Sequence, residues 1–465
     1  MDGRTRWWAT AVVATLAACG DNDVPQGVIQ SGTRVRAMSF VDAAGLRIPR
    51  GWFDRELGVA CEWSGGDQPI CVPLYPVAAR TSTFSDAACT QPLVPVFGDA
   101  CAGPRPTYAT ISRGACEDGV IDEVWTVSDA VVRPQTVFGF STLGQSCTPS
   151  PAQDEVTYHT VGVRLGRGHF AQGEVAHAGR GRIRTRTVVS ADGAQAPVGA
   201  YDADLEAPCE LVGGLGCAPP AYGTSYAEDD ACTRPVVVAS TTCPLAFVAV
   251  DGAGIHRRGA RISSDETQDV AVYSTWDPET EQGGVCRPTT VSLGGVFGLY
   301  RAEAPVSLAP VALRPGAGQL IAPVWRESGA HRELAALSLP GLGVDCEPAE
   351  VAPGAWRCVP SLDRVWRSAY GDAGCTDPIA VAVALGTAAP PGLPAIAFEG
   401  GDGCGHGAVA HGYQAGAARA PGTTFVRAGE CMPAPTSLMG WDLSYRDVVG
   451  DASLDIFPVL TPIVE

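Results

Sequence analysis

The stretch Phe84-Ser85-Asp86-Ala87-Ala88-Cys89-Thr90-Gln91-Pro92 occurs in related form at two later points of the chain. Its counterparts are Glu228-Asp229-Asp230-Ala231-Cys232-Thr233-Arg234-Pro235 and Gly371-Asp372-Ala373-Gly374-Cys375-Thr376-Asp377-Pro378. The cysteines Cys89, Cys232 and Cys375 are each 143 residues apart. Because self-similarity at a fixed period is the signature of repeat architectures, the sequence predicts three related units.

Other positions of the chain follow the same period. Four further cysteine columns are Cys61, Cys209 and Cys346; Cys71, Cys217 and Cys358; Cys101, Cys243 and Cys404; and Cys147, Cys286 and Cys431. Residues 34–61 also align with residues 182–209 without a gap, sharing two alternating arginines, a Gly, a Pro, an Asp and a Leu. We therefore place the units at 33–175, 176–315 and 316–465.

The segments within a unit have the composition of short β-strands. Residues 182–189 and 236–239 are rich in β-branched residues, and Gly, Asp or Pro flank such segments. Since helical periodicity is nearly absent, the sequence predicts an all-β fold of three tandem, disulfide-rich repeats. Blades of about 70 or about 48 residues would allow the units to close as a β-propeller; three tandem β-domains are the alternative.

The N-terminus has the pattern of an export signal. Arg4 and Arg6 precede an uncharged stretch at 7–18 that is too short to span a bilayer. The stretch ends in Leu16-Ala17-Ala18-Cys19-Gly20, which resembles the lipobox of bacterial lipoproteins. An ordinary signal cut after Ala18 is the alternative, although Leu at position 16 fits its cleavage site poorly.

The lipobox resemblance implies a specific processing and address. Residues 1–18 would be a signal peptide, and Cys19 would carry the lipid that anchors the chain to a membrane. Gly20, rather than Asp, after the cysteine implies the outer membrane. Residues 19–32 contain few large apolar side chains and are predicted to form a tether between lipid and folded body.

The composition excludes several classes of function. All 32 basic residues are Arg, so a Walker A lysine, a Schiff base and an S-x-x-K nucleophile are impossible, and no cofactor is predicted. The net charge of −18 opposes binding to nucleic acid and to anionic lipid surfaces as general partners.

Sixteen cysteines remain once Cys19 is set aside, and in an exported chain they indicate up to eight disulfides. They are Cys61, Cys71, Cys89, Cys101, Cys116, Cys147, Cys209, Cys217, Cys232, Cys243, Cys286, Cys346, Cys358, Cys375, Cys404 and Cys431. A local scheme pairs neighbours, namely Cys61 with Cys71, Cys89 with Cys101 and Cys116 with Cys147. This scheme leaves Cys286 and Cys431 without a local partner. Either these two cysteines bond to each other or the scheme is wrong, since spacing does not determine connectivity.

One cluster has the donors of a metal site. Cys404 and His406, with His411 five residues further on, lie in a Gly-rich segment that could direct them to one zinc ion. Because Cys404 occupies a repeat column whose other members have no nearby His, a disulfide is the simpler interpretation.

Hydrolase motifs are weak in this chain. Gly223-Thr224-Ser225-Tyr226-Ala227 lacks the final Gly of a nucleophile elbow. The acidic pairs Asp202 with Asp204 and Asp229 with Asp230 have the residue types of a glycosidase, but neighbours in a loop rarely have the required separation.

An arginine stripe is the most distinctive candidate binding feature. Arg180, Arg182, Arg184 and Arg186 alternate, so a strand would place their four guanidinium groups on one face. Planar guanidinium groups suit the carboxylates or phosphates of glycans and lipids. A solvated face paired with the protein's own Asp and Glu is the simpler interpretation, because ion pairs on a protein surface contribute little to stability.

Together, the phrases around Cys61, Cys71 and Cys89 resemble those of an uncharacterised family of Cys-rich bacterial lipoproteins. The resemblance implies secretion and a disulfide-bonded repeat fold, and it supplies no catalytic residue. The leading hypothesis is a non-enzymatic cell-envelope protein with a binding, adhesion or structural role, its partners being the membrane and an acidic glycan or envelope protein. A secreted glycosidase or esterase with a pocket between repeats is the alternative.

Overall fold

The protein is all-β, as the sequence predicts, and is described by a computed structural model. The model describes residues 29–74, 77–97, 106–112, 123–141, 146–153, 156–212, 216–218, 224–240, 247–251, 257–266, 272–277, 282–289, 297–341, 343–352, 354–360, 364–385, 396–399, 411–420, 422–428, 430–434, 437–438, 441–452, 454–455 and 457–465. A single 3-10 turn, Arg167–His169, is the one helical element within these ranges.

The strands are short and are numbered here in the order of the chain. The first unit contains β1 Val35–Asp42, β2 Arg47–Asp54, β3 Val59–Ser64, β4 Ile70–Pro73, β5 Ala78–Arg80, β6 Thr83–Phe84, β7 Pro92–Phe97, β8 Tyr108–Ile111, β9 Glu123–Val132, β10 Thr136–Ser141, β11 Ser146–Pro151 and β12 Val156–Leu165. Next come β13 Gly173–Ala178, β14 Ile183–Ser190, β15 Gln195–Asp202, β16 Ala207–Val212, β17 Gly216–Ala218, β18 Thr224–Ala227, β19 Pro235–Ser240, β20 Phe247–Asp251, β21 Arg257–Glu266, β22 Val272–Asp277, β23 Gln282–Thr289 and β24 Phe297–Val306. The last are β25 Ala312–Pro315, β26 Ala322–Ser328, β27 His331–Leu339, β28 Val344–Ala352, β29 Ala355–Pro360, β30 Arg364–Tyr370, β31 Pro378–Leu385, β32 Ile396–Glu399, β33 His411–Ala418, β34 Phe425–Ala428, β35 Glu430–Pro433, β36 Ser437–Leu438, β37 Trp441–Ala452 and β38 Val459–Val464.

Two kinds of sheet alternate along the chain. A ten-stranded sheet has the order β25-β26-β27-β28-β29-β38-β1-β2-β3-β4, and a five-stranded sheet the order β13-β14-β15-β16-β17. Between these segments of the chain lie three further sheets: β11-β10-β6-β7-β12-β9-β8-β5, β20-β21-β24-β19-β18-β22-β23, and β31-β37-β33-β32-β30-β34-β35 with β36 beside β37. Each predicted unit therefore contributes a meander of antiparallel strands followed by a second sheet. The first meander is β1–β4, the second is β13–β17 and the third is β25–β29.

Backbone hydrogen bonds connect these meanders in a circuit. The amide of Cys71 donates to the carbonyl of Ala171 at 2.9 Å, just before β13, and the amide of Cys217 donates to Ala309 at 2.9 Å, just before β25. The amide of Cys358 donates to Pro458 at 3.1 Å, just before β38. Since β38 pairs with β1 as β13 pairs with β14, the C-terminal strand returns the circuit to the first meander.

The three meanders share an irregularity of register, and the first two also share an ion pair. The register shifts after Met38, after Arg186 and after Val324, four residues beyond Arg34, Arg182 and Leu320 respectively. A guanidinium binds a fully buried aspartate in the first two meanders: Arg34 binds Asp54 and Arg182 binds Asp202.

The third meander replaces this ion pair with leucines. Leu339 pairs with the first residue of the following strand, as Asp54 and Asp202 do, and Leu320 stands at the arginine position. Leu339 is buried in a core with Ile321 and Phe457, whereas Leu320 is 46% exposed. Arg34 also binds the carbonyl of His169 in the segment that enters the next meander. Arg357 makes the comparable contact in the third, donating to the carbonyl of Phe457 at 2.6 Å.

The repeated sequence around Cys89, Cys232 and Cys375 forms a turn in each unit. Oδ1 of Asp372 accepts the amides of Thr376 and Asp377 at 2.9 and 2.8 Å, and Oδ2 accepts the Thr376 hydroxyl at 2.7 Å. Asp86 and Asp229 hold their turns in the same way. The cysteine of each turn has φ near +50°, in the left-handed region that side chains with a Cβ rarely adopt.

The disulfides correct the local pairing scheme. Twelve cysteines of the described residues form six disulfides: Cys61–Cys71, Cys209–Cys217, Cys346–Cys358, Cys89–Cys147, Cys232–Cys286 and Cys375–Cys431. The pairings of Cys89 with Cys101, Cys116 with Cys147 and Cys286 with Cys431 were wrong, because the turn cysteine of each unit bonds to the last cysteine of its unit. Cys101, Cys116, Cys243 and Cys404 lie outside the described residues.

The shared register shift, ion pair, turn and disulfides involve particular repeated positions of the sequence and not whole units. A threefold repeat of whole 143-residue units and its closure as a β-propeller stay predictions. The main cores lie within and between the meanders, and one of them joins Val35 and Trp52 of the first to Val188 and Ala196 of the second.

Candidate functional site: the arginine face of the second meander

The candidate site is on strand β14. Ile183, Thr185 and Thr187 alternate along it as buried residues, whereas Arg184 and Arg186 are half-buried and point to the opposite face. The strand thus places two guanidinium groups side by side, on the face away from the buried threonines.

Two rings from the neighbouring strands complete this face. His177 of β13 pairs with Arg186, and Tyr201 of β15 pairs with Arg184. The two rings stack, with centroids 3.9 Å apart and planes inclined by 21°. We call these four residues, His177, Arg184, Arg186 and Tyr201, the arginine face.

Two positive charges, those of Arg184 and Arg186, act on His177 within the arginine face. His177 is exposed in part, and its partial burial lowers its pKa. The positive charges of Arg186 and Arg184 lower this pKa further, whereas the negative charge of Asp67 opposes them. Asp67 belongs to the turn before β4, and its carbonyl accepts the amide of Val175 on β13 at 3.2 Å. The arginine face therefore borders the seam between the first and second meanders.

The two arginines lack acidic partners in the part of the chain that the structure describes. No carboxylate there lies within ion-pair distance of Arg184 or Arg186; Nε of Arg184 donates instead to the carbonyl of Gly181 at 3.3 Å. The expectation that the protein's own Asp and Glu neutralise the stripe does not hold for these two residues. Within the described ranges, no direct ion pair neutralises the charge of either arginine.

The arginine face interrupts the similarity of the meanders. The pair Arg186–His177 corresponds by register to Met38–Val464 in the first meander and to Val324–Pro315 in the third. The pair Arg184–Tyr201 corresponds to Arg36–Phe53 and to Ala322–Ser338. This combination occurs in one of the three meanders, so the repeated strand pattern does not require it.

The expectation of four arginines on one face is corrected by the position of Arg182. It precedes β14, and its guanidinium binds Asp202, which shares the buried face of Ile183. Arg182 therefore stabilises the meander rather than adding to the arginine face. Arg180 lies before the strand as well and is exposed.

The remaining candidates give no second site. Cys404 and His406 lie outside the described residues, as does the side chain of His411 on β33. Within the described ranges, no group of three His, Cys, Asp or Glu side chains is placed to hold a metal ion.

The acidic pairs considered for a hydrolase have structural contacts. Asp202 and Asp204 both contact Arg182, at 2.8 and 3.4 Å, and Asp229 organises the turn around Cys232. Ser225 lies within β18, whereas the nucleophile of an elbow lies on a turn between a strand and a helix.

Sequence reasoning missed His177, Tyr201 and Asp67. Nothing in the sequence joins them to the stripe, because their proximity depends on which strands pair and in which register. The alignment of residues 34–61 with 182–209 held a usable signal, since it sets Tyr201 of the second unit against Phe53 of the first.

A model of a protein family, described as the family of unknown function DUF7481, matches residues 12–309, which is more than half of the chain. The chain belongs to this family. The match ends at Ala309, whose carbonyl accepts a hydrogen bond from the amide of Cys217, so it covers the first predicted unit and the second up to six residues before its predicted end. No curated protein and no solved structure matches the chain significantly. Among the described residues, no helix has the length and apolar character needed to cross a membrane.

Proposed function

We propose that this chain is a lipid-anchored cell-envelope protein that binds an acidic glycan through the arginine face. The observation that carries the proposal is the pair Arg184 and Arg186, which share a face of β14, have no carboxylate partner in the described ranges and adjoin the ring stack of His177 and Tyr201. This combination occurs in one of the three meanders.

The chemistry of the face favours a carboxylate-bearing sugar. Guanidinium groups bind planar carboxylates through paired hydrogen bonds, and an aromatic ring gives an apolar surface beside them. With a net charge of −18, the rest of the protein repels acidic partners in general, so that a small acidic ligand fits this local positive site better than an extended anionic surface does.

The sequence at the N-terminus supports the anchored location. Leu16-Ala17-Ala18-Cys19-Gly20 resembles a lipobox, with acylation at Cys19, and Gly20 favours the outer membrane. The backbones of Gln30 and Gln195, a residue of β15, are hydrogen-bonded to each other. A tether formed by residues 19–32 would therefore join the folded body beside the second meander. The circuit of hydrogen-bonded meanders supports the proposal of one closed repeat array, such as a β-propeller, over three separate domains.

The binding proposal is tested with the full chain purified in detergent and an array of uronic-acid oligosaccharides. We expect the double variant Arg184→Gln and Arg186→Gln to bind at least about tenfold more weakly, because each charged hydrogen bond contributes about 1.5–3 kcal/mol. The matched control is Arg234→Gln with Arg301→Gln, two exposed arginines that both pair with Glu228. Equal loss in both variants, or unchanged binding in the first, contradicts the proposal.

The anchor is tested separately by Cys19→Ser. We expect the variant to lose its diacylglyceryl group and to leave the membrane fraction with its body folded, measured by mass spectrometry and fractionation. A wild-type chain without lipid contradicts the anchor and leaves the binding proposal standing.

A further inference from the structure

His177 is the one group of the arginine face that can change its charge near neutral pH. The groups that face it come from every adjacent element: Arg184 and Arg186 from β14, Tyr201 from β15 and Asp67 from the turn before β4. Two of these are permanently positive, one is negative and one is neutral. In the absence of a ligand, the surroundings of His177 disfavour a further positive charge on its ring.

An anion bound by Arg184 and Arg186 changes this balance. Its negative charge offsets the two guanidinium groups and lies within reach of the imidazole, because His177 pairs directly with Arg186 across the strands. We propose that His177 takes up a proton when the arginine pair binds an anionic ligand, and that it then donates a hydrogen bond to that ligand. The inference rests on the proposed function and adds proton linkage to the same site.

The direction of the pH dependence follows from linkage. Burial and the arginines lower the pKa of His177 in the free protein, and a bound anion raises it. Between these two pKa values the complex holds a proton that the free protein lacks, so affinity rises as pH falls through this window. It is constant above the bound pKa and below the free pKa, and a difference of one pKa unit corresponds to a tenfold change in affinity.

The experiment measures the dissociation constant of a tri-galacturonate, whose carboxylates stay ionised throughout, from about pH 8 to about pH 5. We expect binding by the wild type to tighten about three- to tenfold over this range, and that of His177→Gln to stay constant within about twofold. His169→Gln is the matched control, since His169 is also exposed but lies in the 3-10 turn outside the arginine face. It should keep the dependence of the wild type.

A direct measurement does not rely on any variant. The NMR titration of histidine-labelled wild type should show the His177 pKa rising on addition of tri-galacturonate, with the other histidines unmoved. An unmoved His177, or a pH dependence that persists in His177→Gln, overturns the inference while the binding proposal stands. Failure to bind the sugar at any pH overturns the proposed function itself.

Discussion

Arg182 and Asp202 form a bidentate ion pair: Nε of the arginine lies 2.9 Å from Oδ1 of the aspartate, and Nη2 lies 2.8 Å from Oδ2. Oδ1 also accepts the amide of Asp204 at 3.0 Å, so the same carboxylate organises the turn after β15. The pair thus connects the entry of one meander to its second hairpin. Arg34 and Asp54 have the same arrangement in the first meander.

Removing the buried partner of this pair should destabilise the protein. Asp202→Ala leaves the Arg182 guanidinium without its carboxylate, and we expect a loss of about 3 kcal/mol in the free energy of unfolding, followed by fluorescence in urea. Asp204→Ala is the matched control, because its side chain is 66% exposed and contacts the same arginine, and it should lose under about 1 kcal/mol. Equal losses would show that Asp202 has no special role.

The leucines of the third meander allow a test of its equivalence to the others. Leu339→Asp should lower the free energy of unfolding by about 3 kcal/mol or more, since it buries an unpaired carboxylate. Adding Leu320→Arg should restore more than half of this loss by supplying the partner that Arg34 and Arg182 provide elsewhere. The double variant should remain below wild type, because a well-packed leucine is at least as stabilising as a buried ion pair. No recovery would contradict the equivalence.

We expect the pairing of the C-terminal strand β38 with β1 to depend on the side chain of Leu460. Leu460 is 2% exposed in the core that contains Phe40 and Ile48, whereas Val464 on the same strand is 52% exposed. Leu460→Ala should lower the free energy of unfolding by about 2–5 kcal/mol and increase cleavage by protease. Val464→Ala should change stability by less than about 0.5 kcal/mol. If both behave alike, β38 does not hold the circuit closed.

The aspartate turns predict a loss of stability in acid. The hydrogen bond from the Thr376 hydroxyl, together with the amides of Asp377 and Thr376, lowers the pKa of Asp372 to about 2, and Thr233 and Arg234 do the same for Asp229. A depressed pKa in the folded state contributes stability that is complete above the unfolded pKa near 3.8 and disappears as pH falls towards about 2.

The measurement is amide exchange in the turn around Cys375 across this pH window. Asp372→Asn should remove the pH dependence of the protection, whereas Asp377→Asn, an exposed neighbour in the same turn, should preserve it. Protection that falls equally in both variants would assign the effect to some other carboxylate.

The sequence predicted the local features of this protein because they depend on nearby residues. Alternating side chains and the turn phrase around Cys89 require only neighbouring positions, so the all-β class and the disulfide Cys61–Cys71 could be inferred directly. The second disulfide of each unit could not, because the partner of Cys89 is 58 residues away and four other cysteines of its unit were available.

The candidate site, too, could be predicted from the sequence only in part. By itself the sequence determined that Arg184 and Arg186 would share one face of a strand, since side chains alternate with period two. Only the tertiary structure decided that Arg182 instead binds the buried Asp202, and that His177 and Tyr201 lie beside the remaining pair. The physical reason is register: which residues oppose each other across strands is set by turns, bulges and packing from distant parts of the chain.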